Sequence, residues 1–242
     1  PLTGWLCGHW GRRRVFIISV IGFTIASALC GLATSLVGIV GARLLQGIFG
    51  AALVPLSQAV LLDINPREKV GQAMAIWGAG IMVGPILGPL LGGWLTDNFD
   101  WRWVFFINLP VGVFAFWGIA RYLPESRPQG EKLDIFGFVT LSLAIGMLQL
   151  FLDRGEQLDW FDSWEIRLEA AASLVAFCFF VVHTWTVRGV SFFDRDLLKD
   201  RNFVTGLLFA FIVGMILYAT MALLPNFCLL YTSDAADDTP CV

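Results

Sequence analysis

The 242-residue chain is 57% hydrophobic and 14% charged, with a mean hydropathy of +0.73, which excludes an ordinary soluble domain, where roughly 25% of residues are charged. Its net charge of −3 is gathered in short blocks between long uncharged runs, and the absence of a basic tract excludes nucleic acid as a partner. Five cysteines (Cys7, Cys30, Cys178, Cys228, Cys241) lie far apart with no CxxC pair, so they read as small packing residues, and neither a metal nor a cofactor is expected.

The chain opens at Pro1 in what reads as a loop, with neither an initiator methionine nor a signal peptide, and is expected to be a fragment. Seven uncharged runs follow: Val15 to Ala33, Leu36 to Leu62 (broken by Arg43), Val70 to Thr96, Trp103 to Ala120, Ile135 to Leu152, Ala170 to Val187, and Asn202 to about Leu224. Each matches or exceeds the roughly 17 to 25 residues a helix needs to cross a bilayer. An all-α polytopic membrane protein with about seven transmembrane helices is predicted. Its orientation follows from Lys and Arg alone. Arg12, Arg13, Arg14, Arg67, Lys69, Arg121, Arg127, Lys132, Arg188, Arg195, Lys199 and Arg201 fall on one side, against Arg102, Arg154 and Arg167 on the other. The first side is therefore cytoplasmic. The outer loops carry Trp94, Trp101, Trp103, Trp160 and Trp164, aromatics suited to the interface.

The second run holds its one charge, Arg43, seven residues from its outer start, roughly 10 Å deep at 1.5 Å per residue. A charge there needs a partner, a water-filled cavity, or a route to snorkel outward. The third run contains GAGIMVGPILGPLLGG (residues 78–93), with Gly80, Gly84, Gly88 and Gly92 four apart on one helix face, where a second backbone can approach closely. Pro85 and Pro89 lack N–H groups, so the carbonyls of Ile81 and Pro85 lose their usual partners and the helix is expected to loosen there. Gln46, Ser57, Gln58, Asn108 and Gln149 are polar groups inside runs, suited either to lining a cavity or to bonding between helices. Among these, Gln58 and Asn108 are the candidate cavity-lining residues. His183 reads as a packed neutral histidine, with proton carriage as the alternative. No Asp or Glu falls within any of the seven runs.

Three motifs together carry a resemblance. Residues 78–93, with Gly84-Pro85 and Gly92-Gly93, resemble the antiporter motif on the fifth helix of proton-coupled exporters of the major facilitator superfamily. RLLQG (Arg43, Gln46, Gly47) resembles the fourth-helix motif Arg-x-x-Gln-Gly. GWLCGHWGRRR resembles the loop between helices two and three, with Gly4, Leu6, Gly11, Arg12 and Arg13 in place, but with Gly8 and His9 where Asp and Arg are usual. DNFDWRWVFFINLPVG (Asp97 to Gly112) and LDRGEQLDWFDSWEI (Leu152 to Ile166) are similar to stretches of the EmrB/QacA group, the fourteen-span drug:proton antiporters, and to EmrB-type members in particular.

The resemblance implies helices three to six of an N-terminal six-helix bundle in residues 1–122, a two-helix insert in 123–201, and the first helix of the C-terminal bundle in 202–227. Residues 228–242, with three aspartates, are expected to be a solvated and non-native tail. It further implies a multi-pass protein of the cytoplasmic membrane that exports hydrophobic or amphipathic compounds in exchange for protons, without covalent chemistry. Arg43 would couple to an acid on an absent first helix. In a double-membraned bacterium the partners would include a periplasmic membrane-fusion adaptor and an outer-membrane channel. A related metabolite exporter or uptake carrier, and a non-transporting receptor or scaffold, remain the alternatives.

The charge count predicts topology directly. With native cysteines replaced, Ser163→Cys should be labelled by a membrane-impermeant thiol reagent in intact cells, and Ser126→Cys only after lysis. Reversed labelling would invert the orientation.

Overall fold

A computed structural model describes residues 2–125, 133–187, 197 and 199–237. The loop cations Arg127, Lys132, Arg188 and Arg195, the labelling position Ser126, and Asp238 to Val242, including Cys241, lie outside the described residues. Among the described residues there is no strand. Seven helical stretches are long and apolar enough to cross a membrane: Arg12–Leu32, Leu36–Ile64, Val70–Asn98, Trp103–Tyr122, Ile135–Arg154, Trp164–Thr186 and Arg201–Thr220. These match the seven uncharged runs. The chain divides into two compact units, Pro1–Leu133 and Asp134–Val242.

In the first unit, a short helix α1 (Leu2–Trp10) turns at Gly11 into α2 (Arg12–Leu32), followed by α3 (Leu36–Gly50) and α4 (Leu53–Ile64). Ser35 caps α3, its side chain accepting from the Gly38 N–H at 3.1 Å. The second run thus divides into two helices. Pro55 has no N–H for the Ala51 carbonyl, and its ring crowds that carbonyl, so the chain turns at Ala51 and Ala52. The fourth run divides in the same way. Pro110 offers no N–H to the Phe106 carbonyl, and a four-residue helix α6 (Trp103–Phe106) gives way at Ile107 to α7 (Asn108–Tyr122). Between them α5 (Val70–Asn98) stays one continuous helix through Pro85 and Pro89.

The core of this unit is built on α2, which packs against α3, α7, α6, α4 and α1. Its buried residues are mostly small: Ser19, Ala26, Ser27, Cys30 and Gly31 among them. Several glycines seat neighbouring side chains. Phe49 lies on Gly22, Thr24 on Gly112, and Phe106 on Gly31, where a Cβ would come within 2.6 Å of the ring. Close backbone approach is the expected way for helices to associate where lipid removes the hydrophobic drive. Outward-facing apolar residues such as Val37, Phe114 and Leu36 are more than three-quarters or about three-quarters exposed, as a lipid-facing surface requires.

In the second unit, α8 (Ile135–Arg154) and α9 (Trp164–Thr186) form a close pair, followed by α10 (Arg201–Asp237). The backbone of α10 stays helical through residues 228–237, where the sequence analysis expects a solvated tail; after Pro225 no proline or glycine interrupts it. The link between α8 and α9 consists of two 3-10 turns, Glu156–Leu158 and Trp160–Asp162. Asp159 and Trp160 have φ of 54° and 51°. Left-handed backbone is strained for a bulky residue. The Trp160 ring lies over Gly155, where a Cβ would meet it at 2.7 Å, and edge-on to Phe151 at 5.6 Å, which holds the turn in place.

The expectation that no carboxylate enters a span is corrected here. Helix α9 begins ahead of the uncharged run, at Trp164, so Glu165 and Glu169 belong to the sixth membrane-competent stretch, and by the same bounds Asp63, Asp97 and Asp153 fall at the ends of the second, third and fifth. Arg154, ending α8, makes this affordable: Nη1 donates to Glu169 Oε1 at 3.0 Å and Nη2 to Glu165 Oε2 at 2.8 Å. Glu169 is 7% exposed and its second oxygen is buried without a hydrogen bond. Deeper in the pair, Ser173 Oγ donates to the Ala144 carbonyl at 2.8 Å. At the start of α8 Asp134 caps the helix by accepting from the Gly137 N–H at 2.9 Å and meets His183 Nε2 at 2.9 Å.

Removing one partner of a buried ion pair costs about 3–5 kcal/mol. Because the Arg154 side chain is 43% exposed, Arg154→Ala should destabilise by about 2–3 kcal/mol. The midpoint of thermal unfolding of the complete gene product in detergent should fall accordingly. Adding Glu169→Gln should restore part of the loss, and a double variant no more stable than the single one would contradict the pairing.

Candidate functional site

The intramembrane arginine organises the site. Arg43 and Gln46 lie one turn apart on α3, and Arg43 Nη1 donates to Gln46 Oε1 at 3.0 Å. The Arg43 guanidinium carbon stands 4.6 Å from the centroid of the Phe105 ring on α6. Gln46 is buried, and its Oε1 is also 3.9 Å from the Cys30 sulfur on α2. Phe105 packs with Cys30, Ala42 and Ile39 in one buried cluster. Arg43 is itself exposed on its helix, so the charge is held at the side of the unit rather than enclosed by it.

Directly beside it runs a polar chain between α2 and the α6–α7 break. Ser27, fully buried, donates to the Phe105 carbonyl at 3.0 Å and accepts from Asn108 Nδ2 at 3.0 Å. Asn108 therefore spends its side-chain donor on an interhelical bond, the second of the two roles its position allowed. Just past the end of α2, the Ala33 carbonyl accepts from Arg102 Nη2 at 3.3 Å. Gln58 is half-buried on α4, and the neighbouring Ser57 accepts from the Trp77 indole of α5 at 3.0 Å. Gln149 instead bonds Asp153 one turn along α8, at 2.9 Å and 3.0 Å.

The loop motif is assembled where α1 meets the start of α2, at one end of the first unit. Gly11 has φ 84°, a left-handed conformation that favours glycine, and this turns α1 sharply into α2. Leu6, Cys7 and Phe16 pack on the cluster of Val15, Ala52 and Leu56. Arg12 pairs with Asp63 at the end of α4. Arg13 donates to the Ala120 carbonyl near the end of α7 at 2.6 Å and lies 3.5 Å from Glu125. These arginines find carboxylates although Gly8 supplies none, and His9 stacks on Trp5 at 5.2 Å. Gly4 faces open space. Burial pushes the Cys7 thiol above its usual range, with the Arg12 charge acting in the other direction. That favours the neutral thiol over the thiolate, consistent with a packing role.

The antiporter motif sits differently from what its spacing predicts. A Cβ built on Gly80, Gly84, Gly88, Gly92 or Gly93 meets no atom within 4 Å, and the same holds for Gly47. Among the described residues the principal neighbours of α5 are α4 and α6, so the glycine line is smooth but has no helix against it.

Seven membrane-competent helical stretches, one of them carrying an arginine that bonds a glutamine and faces an aromatic ring, define a multi-pass membrane protein. A family model described as Major Facilitator Superfamily matches residues 1–234. The chain belongs to the Major Facilitator Superfamily. It is 40% identical over 229 residues to multidrug export protein EmrB of Escherichia coli (strain K12), an alignment covering 93% of this chain and 44% of that protein. It is 39% identical over 228 residues to fatty acid resistance protein FarB of Neisseria gonorrhoeae, covering 93% and 45%. Against multidrug resistance protein 3 of Bacillus subtilis (strain 168) the identity is 35% over 216 residues, covering 88% and 42%. The chain thus spans less than half the length of these relatives.

Proposed function

We propose that this chain is part of a proton-coupled exporter in the cytoplasmic membrane that moves hydrophobic or amphipathic compounds outward by alternating access. The observation that carries the reading is Arg43: a cation inside a membrane helix, one of whose five N–H donors is used by Gln46, leaving the others free to act on an acid. That acid is sought on segments that the longer relatives have and this chain does not span. A neighbouring cation favours the charged form of an acid and so eases proton release. Relatives named for multidrug export and for fatty acid resistance support substrates of apolar or amphipathic character. In a double-membraned bacterium, a periplasmic adaptor and an outer-membrane channel would complete the export path.

The glycine line of α5 has its place in the same cycle. Its open face suits a helix from the other half of the transporter, and Pro85 and Pro89 leave carbonyls without N–H partners, so the contact can deform as the halves rock. A valine at Gly84 would then overpack it, at a cost of about 1–3 kcal/mol.

The test is efflux of a fluorescent dye from cells making equal membrane amounts of each variant of the complete gene product, with and without an imposed proton gradient. Arg43→Ala should lose the dependence on the gradient, and Arg43→Lys should recover it only in part, because the planar fork is lost. Gly84→Val should lower efflux without impairing insertion. Unchanged gradient-driven export by Arg43→Ala would overturn the coupling role, and wild-type export by both Gly84→Val and Gly88→Val would overturn the contact.

A further inference from the structure

We propose that Phe105 is a positioning residue for Arg43, its ring face serving as a neutral platform that holds the guanidinium inside the membrane without cancelling its charge. The inference rests on the reading of Arg43 as the coupling cation.

Four observations carry it. The guanidinium carbon lies 4.6 Å from the Phe105 ring centroid, well inside the roughly 6 Å over which a ring quadrupole attracts a cation. Among the described residues no carboxylate is within ion-pair distance of Arg43, so its protein contacts are one amide oxygen and one ring. The ring itself is fixed: Phe105 is 6% exposed, packed on Cys30, Ala42 and Ile39, and met edge-on by Trp101 at 5.9 Å. Its backbone is fixed as well, the carbonyl accepting from the buried Ser27 hydroxyl, which in turn accepts from Asn108.

The chemistry explains why a ring suits this place. A carboxylate partner would neutralise Arg43 and compete with the acid whose proton the arginine is to influence. A phenyl face attracts the cation and leaves it positive. On α6 the Phe105 ring faces Arg43 of α3 while the Phe105 carbonyl accepts from Ser27 of α2, so one residue meets both helices. Phe106, the next residue, locks the same helix onto Gly31.

The experiment measures gradient-driven ethidium efflux from cells making equal membrane amounts of the complete gene product. Phe105 is replaced by phenylalanines carrying one, two and three ring fluorines, which keep the ring but drain its negative face stepwise. Efflux should fall with each fluorine, reaching a loss of about five- to tenfold, while ethidium affinity without a gradient stays constant. Phe105→Trp should retain transport and Phe105→Leu should resemble Arg43→Ala. If Phe105→Leu fails to reach the membrane, the fluorinated series alone decides. A flat series, alongside an Arg43→Ala that has lost gradient dependence, overturns the platform and leaves the coupling role standing. An Arg43→Ala with full gradient dependence overturns the coupling role, and the platform with it.

Discussion

Inside hydrocarbon every polar group must find a partner within the protein, and the first unit is arranged around satisfying one cluster of them. At the α6–α7 junction a carbonyl, that of Phe105, and an amide side chain, that of Asn108, meet the buried face of α2. Ser27 meets both with a single hydroxyl. The Phe105 ring faces Arg43 of α3, which in turn bonds Gln46. The small residues along α2 follow from this: Ala26, Cys30 and Gly31 let the broken segment approach closely enough for a 3.0 Å hydrogen bond.

The second unit solves the same problem with ion pairs as well as a hydroxyl. Glu169 sits inside a span because Arg154 reaches it from the end of α8, and Glu165 shares that guanidinium. At the other end Asp134 serves both the first turn of α8 and His183 of α9. The α8–α9 pair is thus tied at both ends by ionisable groups and in between by the Ser173 bond to the Ala144 carbonyl. Such pairs add little net stability when exposed, but leaving one partner buried alone is costly, so they constrain which helices meet.

Much of this was legible in the residues, and the exceptions have physical reasons. Run length and the scarcity of charge were enough to mark seven spans, because bilayer thickness imposes a length that soluble helices do not share. The interruptions at Pro55 and Pro110 escaped the count because apolar character continues across them while the hydrogen-bond ladder does not. Glu169 escaped because spans were bounded by the first charge, and a paired charge does not end a helix. Arg43 stood out as the lone charge in its run, and RLLQG already placed Gln46 one turn away; Phe105 could not be found that way, since an aromatic in an apolar run carries no mark of what lies on its face. Glycine spacing identified the smooth side of α5 but not what meets it. Conversely Gly22, Gly31 and Gly112, which do seat neighbours, have no mutual spacing to announce them. Their role is visible only from the rings and the threonine that occupy them.

The central claim is that a guanidinium held half a bilayer leaf deep links proton movement to export. The most direct measurement places the purified complete gene product in liposomes containing a pH-sensitive dye, with no initial pH difference, and imposes a gradient of ethidium. The account predicts that ethidium crossing in one direction drives protons in the other, and that Arg43→Ala lets ethidium cross without moving protons. Ethidium transport unaccompanied by proton movement in the unmodified protein, or undiminished proton movement in Arg43→Ala, would contradict it.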